Sequence, residues 1–186
     1  MDTANLATLP KISKADLENA KKENDAWNFL FVFTDKYFAM IEGNQEIMRD
    51  FTSSQHTLLA YNYLYGEVCN GGFTQLILNG YGGYVFDNPF SDNLREWGVE
   101  KIAEIVDAAK VVYQTYKERI EVVATRLQAA TTIEEAEKLN EESSKLYQEI
   151  KDFEPLEDSF YEIKEKETEI IKHYVENHLE EFAVIE

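Results

Sequence analysis

The sequence predicts an all-α fold: a compact multi-helix domain with a long C-terminal helical hairpin. Three observations predict it. Only three prolines occur, Pro10, Pro89 and Pro155, and all eight glycines lie between Gly43 and Gly98. Long stretches therefore lack helix breakers. From Ile102 to Ala130 the apolar residues recur by four and three alternately, a heptad seam. No segment shows period-two alternation between turn residues, the mark of a half-buried strand.

The elements follow in chain order. Ser13 caps a first helix, with Asp16 as its capping-box partner three residues on. Helical character then runs from Asp16 to Ile41, with a break near Asn24 and a stop at Gly43. A helix from about Ser54 to Cys69 ends at Asn70-Gly71-Gly72, because Asn and Gly tolerate the left-handed conformation there. Phe73 to Asn79 reads as a short helix. Gly80 to Tyr84 and Asp87-Asn88-Pro89 read as loop, and Ser91 caps a brief helix ending near Gly98. The heptad helix carries Ile102, Val106, Ala109, Tyr113, Tyr116, Ile120, Val123, Leu127 and Ala130. Thr132 and Glu135 form a second capping box, opening a helix with Ile133, Ala136, Leu139, Ser143, Leu146 and Ile150 on one side. So short a link implies an antiparallel hairpin. Pro155 suits the first turn of a last helix whose apolar side is Leu156, Phe160, Ile163, Ile170, Tyr174 and Phe182. The expected organisation is an N-terminal helical segment, 1–50, packed on a main helical domain, 51–186.

Composition narrows the function. The chain has 186 residues and a formal net charge of −18. Its 44% hydrophobic and 13% aromatic content is too high for a disordered acidic tail. A strongly acidic protein lacks the basic footprint that binds nucleic acid directly, and it is repelled by anionic membranes. It suits a basic partner. A single cysteine, Cys69, forbids an intrachain disulfide, and residues 1–11 carry no signal-peptide pattern. A cytoplasmic protein is expected.

The charge is unevenly placed. Residues 131–186 carry −12 of the −18. On the last helix Asp158, Glu162, Glu165, Glu169, Glu176 and Glu180 fall within an arc of roughly 60°. The row is about 33 Å long, near the ~34 Å of one DNA turn, with Lys172 and His173 in its gap. Glu134, Glu135, Glu141 and Glu142 on the preceding helix extend it. Such a row reads either as the solvated face of an amphipathic helix or as an array that captures a basic groove. One-sign rows at these spacings cost helix stability, which favours a use.

Motifs for catalysis are lacking: there is no HExxH, Walker A, GxGxxG, CxxC or GxSxG. His173 and His178 are five apart and diverge on a helix. Neither a metal nor a cofactor is expected. The most unusual local sequence is Glu67 to Gln75, with Asn70-Gly71-Gly72 at its centre. It reads as a structural break in which Glu67 and Gln75 bond loose backbone ends, or as a substrate loop with Glu67 as acid or base. Tyr61, Tyr63, Tyr65, Tyr81 and Tyr84 either line a groove or pack in the core.

At this segment the sequence resembles a known family. Glu67, Asn70, Gly71, Gly72, Phe73, Gln75 and Asn79 look like the hallmark of a bacterial family of acidic, all-helical proteins named for a DNA-mimic protein. Trp97-Gly98-Val99 and then Leu156, Asp158, Phe160 and Tyr161 continue the similarity, which spans about residues 55–182. The resemblance implies an α-helical fold and, for the characterised member, a homodimer whose acidic surface occupies the DNA-binding face of a transcription factor. The function expected is therefore a non-enzymatic DNA mimic that blocks a basic DNA-binding protein's access to DNA. Two readings compete with it. One is an acidic helical scaffold without mimicry. The other is an enzyme with a pocket near Glu67, Asn70, Gln75 and Tyr81.

Overall fold

A computed structural model of the chain describes residues 8–22 and 25–186. Eight α-helices dominate the described residues: α1 (Lys14–Lys22), α2 (Ala26–Gly43), α3 (Ser53–Leu78), α4 (Gly82–Phe86), α5 (Phe90–Glu96), α6 (Glu100–Ala129), α7 (Ile133–Glu149) and α8 (Glu154–Asn177). Two-residue strands, β1 (Lys11–Ile12) and β2 (Val184–Ile185), pair in parallel. The all-α class holds, although this short ladder left no periodic trace in the sequence. The expected break near Asn24 falls outside the described residues. On its far side Asp25 caps α2, accepting from the Asn28 N–H at 2.8 Å.

The chain forms two compact units. The first holds the described residues of Met1–Asn62, with Asp92–Glu100 and Lys164–Glu186. Its core is aromatic: Phe29, Phe33, Tyr37 and Phe182 are buried, and Trp97 stacks on Tyr174 at 4.7 Å. The Tyr37 hydroxyl donates to the Phe182 carbonyl at 2.9 Å, which ties the C-terminal segment to α2. Ser13 caps α1 as the sequence predicts, its hydroxyl accepting from the Asp16 N–H at 3.1 Å.

The second unit is Tyr63–Ser91 with Lys101–Ile163. Here the heptad seam packs: Ile102, Val106, Ala109, Tyr113, Ile120 and Val123 are buried on α6. On α7 the seam is Leu139 and Leu146, continued by Ile150 beyond its end. Ile133, placed on that seam by its spacing, is instead 80% exposed in the first turn of α7. The Thr132 hydroxyl accepts from the Glu135 N–H at 3.2 Å, as a capping box requires.

The antiparallel hairpin is registered by polar rungs. Tyr116 bonds Asp152 at 2.7 Å, Arg119 pairs with Glu149, and Arg126 pairs with Glu142 at 3.0 Å. Each step up α6 is matched by an equal step down the partner strand of the hairpin. Two expectations of loop and cap are corrected nearby. Gly82–Phe86 is helical, because Val85 and Phe86 bury their side chains and Gly82 passes close to Ile77 and Tyr113. Ser91 lies inside α5, which begins at Phe90.

Candidate functional site

The Asn-Gly-Gly segment breaks α3 into two helical halves. Gly71 keeps a negative φ (φ −159°, ψ 23°), whereas Gly72 sits at φ +75°, ψ −174°. That region is essentially reserved for glycine. The break leaves backbone ends unpaired, and α8 supplies their partners. The Glu157 carboxylate accepts from the Phe73 N–H at 2.8 Å, capping the second half. One turn on, the Tyr161 hydroxyl donates to the Val68 carbonyl at 2.7 Å, closing the first half. A Cβ on Gly72 would overlap the Glu157 carboxylate. Glycine therefore serves the contact as well as the dihedral.

The hallmark residues make a second network. Gln75 Nε2 and Asn79 Nδ2 both donate to Glu67 Oε2, at 2.7 and 2.8 Å. Glu67 and Gln75 thus bond each other and not the loose backbone ends, which correction follows from Glu157 and Tyr161 taking that role. Neither of those two was assigned it from the sequence. Burial raises the Glu157 pKa, opposed by the Phe73 N–H and reinforced by Glu154 and Asp158.

Beside the break runs an open groove of about 780 Å³. Five carboxamides line it: Asn70, Gln75, Asn79, Gln128 and Asn140. Ser143, Ser144, Leu78 and Leu127 complete the walls, with Tyr81 and Tyr147. No charged side chain lines it. Glu67, the acid or base of the enzymatic reading, is held by its two amide donors and is not part of the lining. The tyrosines divide: Tyr63 stacks on Tyr81 at 4.0 Å and meets Tyr84 edge-on, while Tyr61 shares a hydrogen bond with Thr168. Burial lifts the Tyr63 phenol to about 12.

The acids named from the sequence fall into distinct environments. In the second unit Glu134, Glu141, Asp158 and Glu162 are exposed and make no hydrogen bond or ion pair among the described residues. Glu135 also accepts, at 3.4 Å, from the Thr131 N–H, and Glu142 is bridged by Arg126. In the first unit Glu165 contacts Lys164, Glu169 lies 3.7 Å from Lys172, and Glu176 lies 3.5 Å from His173. Lys172 itself is buried, over the Phe29 ring. Glu180 leaves the row altogether. The helix ends at Asn177 and Glu180 sits in a following 3-10 turn, so the helical arc cannot be extended to it. His178 stacks on Tyr174 at 4.2 Å. Among the described residues no group of three or more His, Cys, Asp or Glu could hold a metal ion, and no helix is long and apolar enough to cross a membrane.

Two comparisons bear on this arrangement. The model of the DMP19-like protein family matches residues 49–178. That range takes in the broken helix, the groove and all of α8. The chain is also 31% identical over 134 residues to the DNA mimic protein DMP19 of Neisseria meningitidis serogroup B (strain ATCC BAA-335 / MC58), covering 72% of this chain and 73% of that protein.

Proposed function

Because the chain belongs to the DMP19-like protein family, we propose that it is a DNA mimic: a non-enzymatic, cytoplasmic protein that binds a basic DNA-binding protein and keeps it from DNA. The observation that carries the reading is the set of exposed, unpaired carboxylates Glu134, Glu141, Asp158 and Glu162 in a chain of net charge −18. Asp158 and Glu162 are one helical turn apart, about 6 Å along the axis. Phosphates on one DNA strand advance ~3.4 Å each, so these carboxylates fall near every second phosphate position. A carboxylate array left without lysine partners presents to an Arg/Lys-rich groove the same charge and acceptor chemistry as phosphate.

Capture from a bacterial lysate on the immobilised protein tests this. Bound protein should be released by short duplex DNA and by raised salt, since exposed pairs are screened over ~8–10 Å at physiological ionic strength. Changing Glu141, Asp158 and Glu162 together to Lys should abolish capture. Changing the exposed acids Asp35, Glu42 and Asp50 to Lys should leave most of it. Equal loss in both triple variants, or a captured protein that binds DNA and this chain at once, would overturn the proposal.

A further inference from the structure

The carboxamide groove has a chemistry that an acidic array alone does not explain. We propose that it binds an extended, lysine- or arginine-rich peptide segment, a flexible basic arm of the DNA-binding partner. This rests on the mimic reading and gives it a second surface. Each carboxamide presents one donor face and one acceptor, the same pair that a peptide group offers. Asn70, Gln128 and Asn140 line the groove with exposed side chains that make no hydrogen bond among the described residues. Gln75 and Asn79 are oriented by Glu67, which takes one N–H from each and leaves the second N–H of each amide available.

The surroundings select cations. Although no charged side chain lines the groove, Glu67 acts electrostatically on Tyr81, and Glu157 acts on Tyr147 more strongly than the opposing Lys151. The hydrogen bonds Glu67 receives come from neutral amides, and Glu157 receives one from a backbone N–H, so none of these contacts brings a cation to either carboxylate. Glu137 and Glu141 are exposed on α7 beside Asn140 and Ser144. Tyr147 is 42% exposed and offers its ring face to a guanidinium or ammonium. A polyamine is attracted, but it has no backbone to use five carboxamides. A basic peptide uses both features, with main-chain hydrogen bonds for affinity and side chains for charge.

The probe is a short labelled peptide alternating lysine and alanine, read by fluorescence anisotropy, with side-chain amide NMR signals of the labelled protein as the map. The Asn and Gln amide signals of the groove should shift on titration. N-methylation of the peptide's alternate amides, which keeps its charge, should weaken binding about tenfold or more, and Gln128→Ala with Asn140→Ala should do the same without moving the melting temperature. Equal affinity for the N-methylated peptide, ready displacement by spermine at matched charge, or shifts confined to the α8 acids would overturn the groove. The two proposals separate cleanly. A Gln128→Ala/Asn140→Ala variant that loses the peptide yet keeps a DNA-displaceable partner would overturn the arm and leave mimicry standing. A chain that binds the peptide in the groove but captures nothing that DNA displaces would overturn mimicry.

Discussion

Replacing Gly72 by Ala tests the account of the broken helix. At φ +75°, ψ −174° an alanine meets a backbone region closed to L side chains, at a cost of about 1–3 kcal/mol. Its Cβ also occupies the position of the Glu157 carboxylate. Displacing that group leaves the Phe73 N–H without its acceptor, a further loss of about 1–3 kcal/mol. Together the change costs roughly 2–5 kcal/mol after some relaxation. For a chain of this size each kcal/mol lowers the melting temperature by roughly 2–4 °C, so Gly72→Ala should melt about 4–20 °C lower. Gly71→Ala is the control. Its φ is negative, but its Cβ overlaps the Gln75 carboxamide, whose displacement breaks the hydrogen bond to Glu67. That change should cost about 0.5–1.5 kcal/mol, less than Gly72→Ala. Thermal and urea unfolding followed by circular dichroism measure both. If Gly72→Ala melts within two or so degrees of wild type, or Gly71→Ala is the more damaging, the clasp by Glu157 is wrong.

Three further outcomes follow from the same contacts. Glu157→Gln keeps an acceptor for Phe73 while removing the charge whose pKa is raised, chiefly by burial. A carboxyl whose folded pKa exceeds the unfolded value of 4.5 stabilises the fold as pH falls through that raised value. The variant should therefore be the more stable protein at pH 7, and its advantage should vanish below about pH 4.5; a constant difference from pH 7 to 4 would refute the assignment. Tyr161→Phe removes the donor to the Val68 carbonyl and should cost about 0.5–1.5 kcal/mol in urea unfolding, with no change in helical signal. Thr132→Ala removes the cap of α7 and should cost about 1 kcal/mol, whereas Thr131→Ala, whose contact to Glu135 runs through its backbone, should be near neutral by the same measurement.

How much of this was legible depends on whether the signal is local. The α6 seam was readable because a period held over four heptads overwhelms single-residue noise. The caps at Ser13 and Thr132 were readable because donor and acceptor lie three residues apart. Helix α4 was not, because two glycines lower its helix propensity and its stability comes from burying Val85 and Phe86. The roles of Glu157 and Tyr161 were not readable either. Their partners are 84 and 93 residues away, and nothing local marks either residue as a cap. A usable signal did exist for the Glu67 network. Gln75 and Asn79 are four apart and share a helix face, and two amides on one face following a glutamate invite a common acceptor. The helical wheel placed Asp158 and Glu162 on an exposed face correctly, yet it carried Glu180 past the end of α8, where its premise no longer applies.

That failure sharpens the meaning of the charge. A net charge counts every carboxylate equally, but the fold does not leave every carboxylate equally available. Glu67 orients two amides, Glu157 caps a helix half, and Glu142 and Glu149 hold the hairpin through Arg126 and Arg119. Moving any of these toward a partner's arginine would first break an internal contact, so much of what is gained outside is lost inside. Glu134, Glu141, Asp158 and Glu162 carry no such debt among the described residues. Phosphate mimicry needs charges that are fixed by a rigid backbone and yet uncommitted at their tips. A helix edge provides both. The residues for charge reversal are therefore chosen by what the fold leaves unpaired, and the density of acids in the C-terminal sequence is a poorer guide.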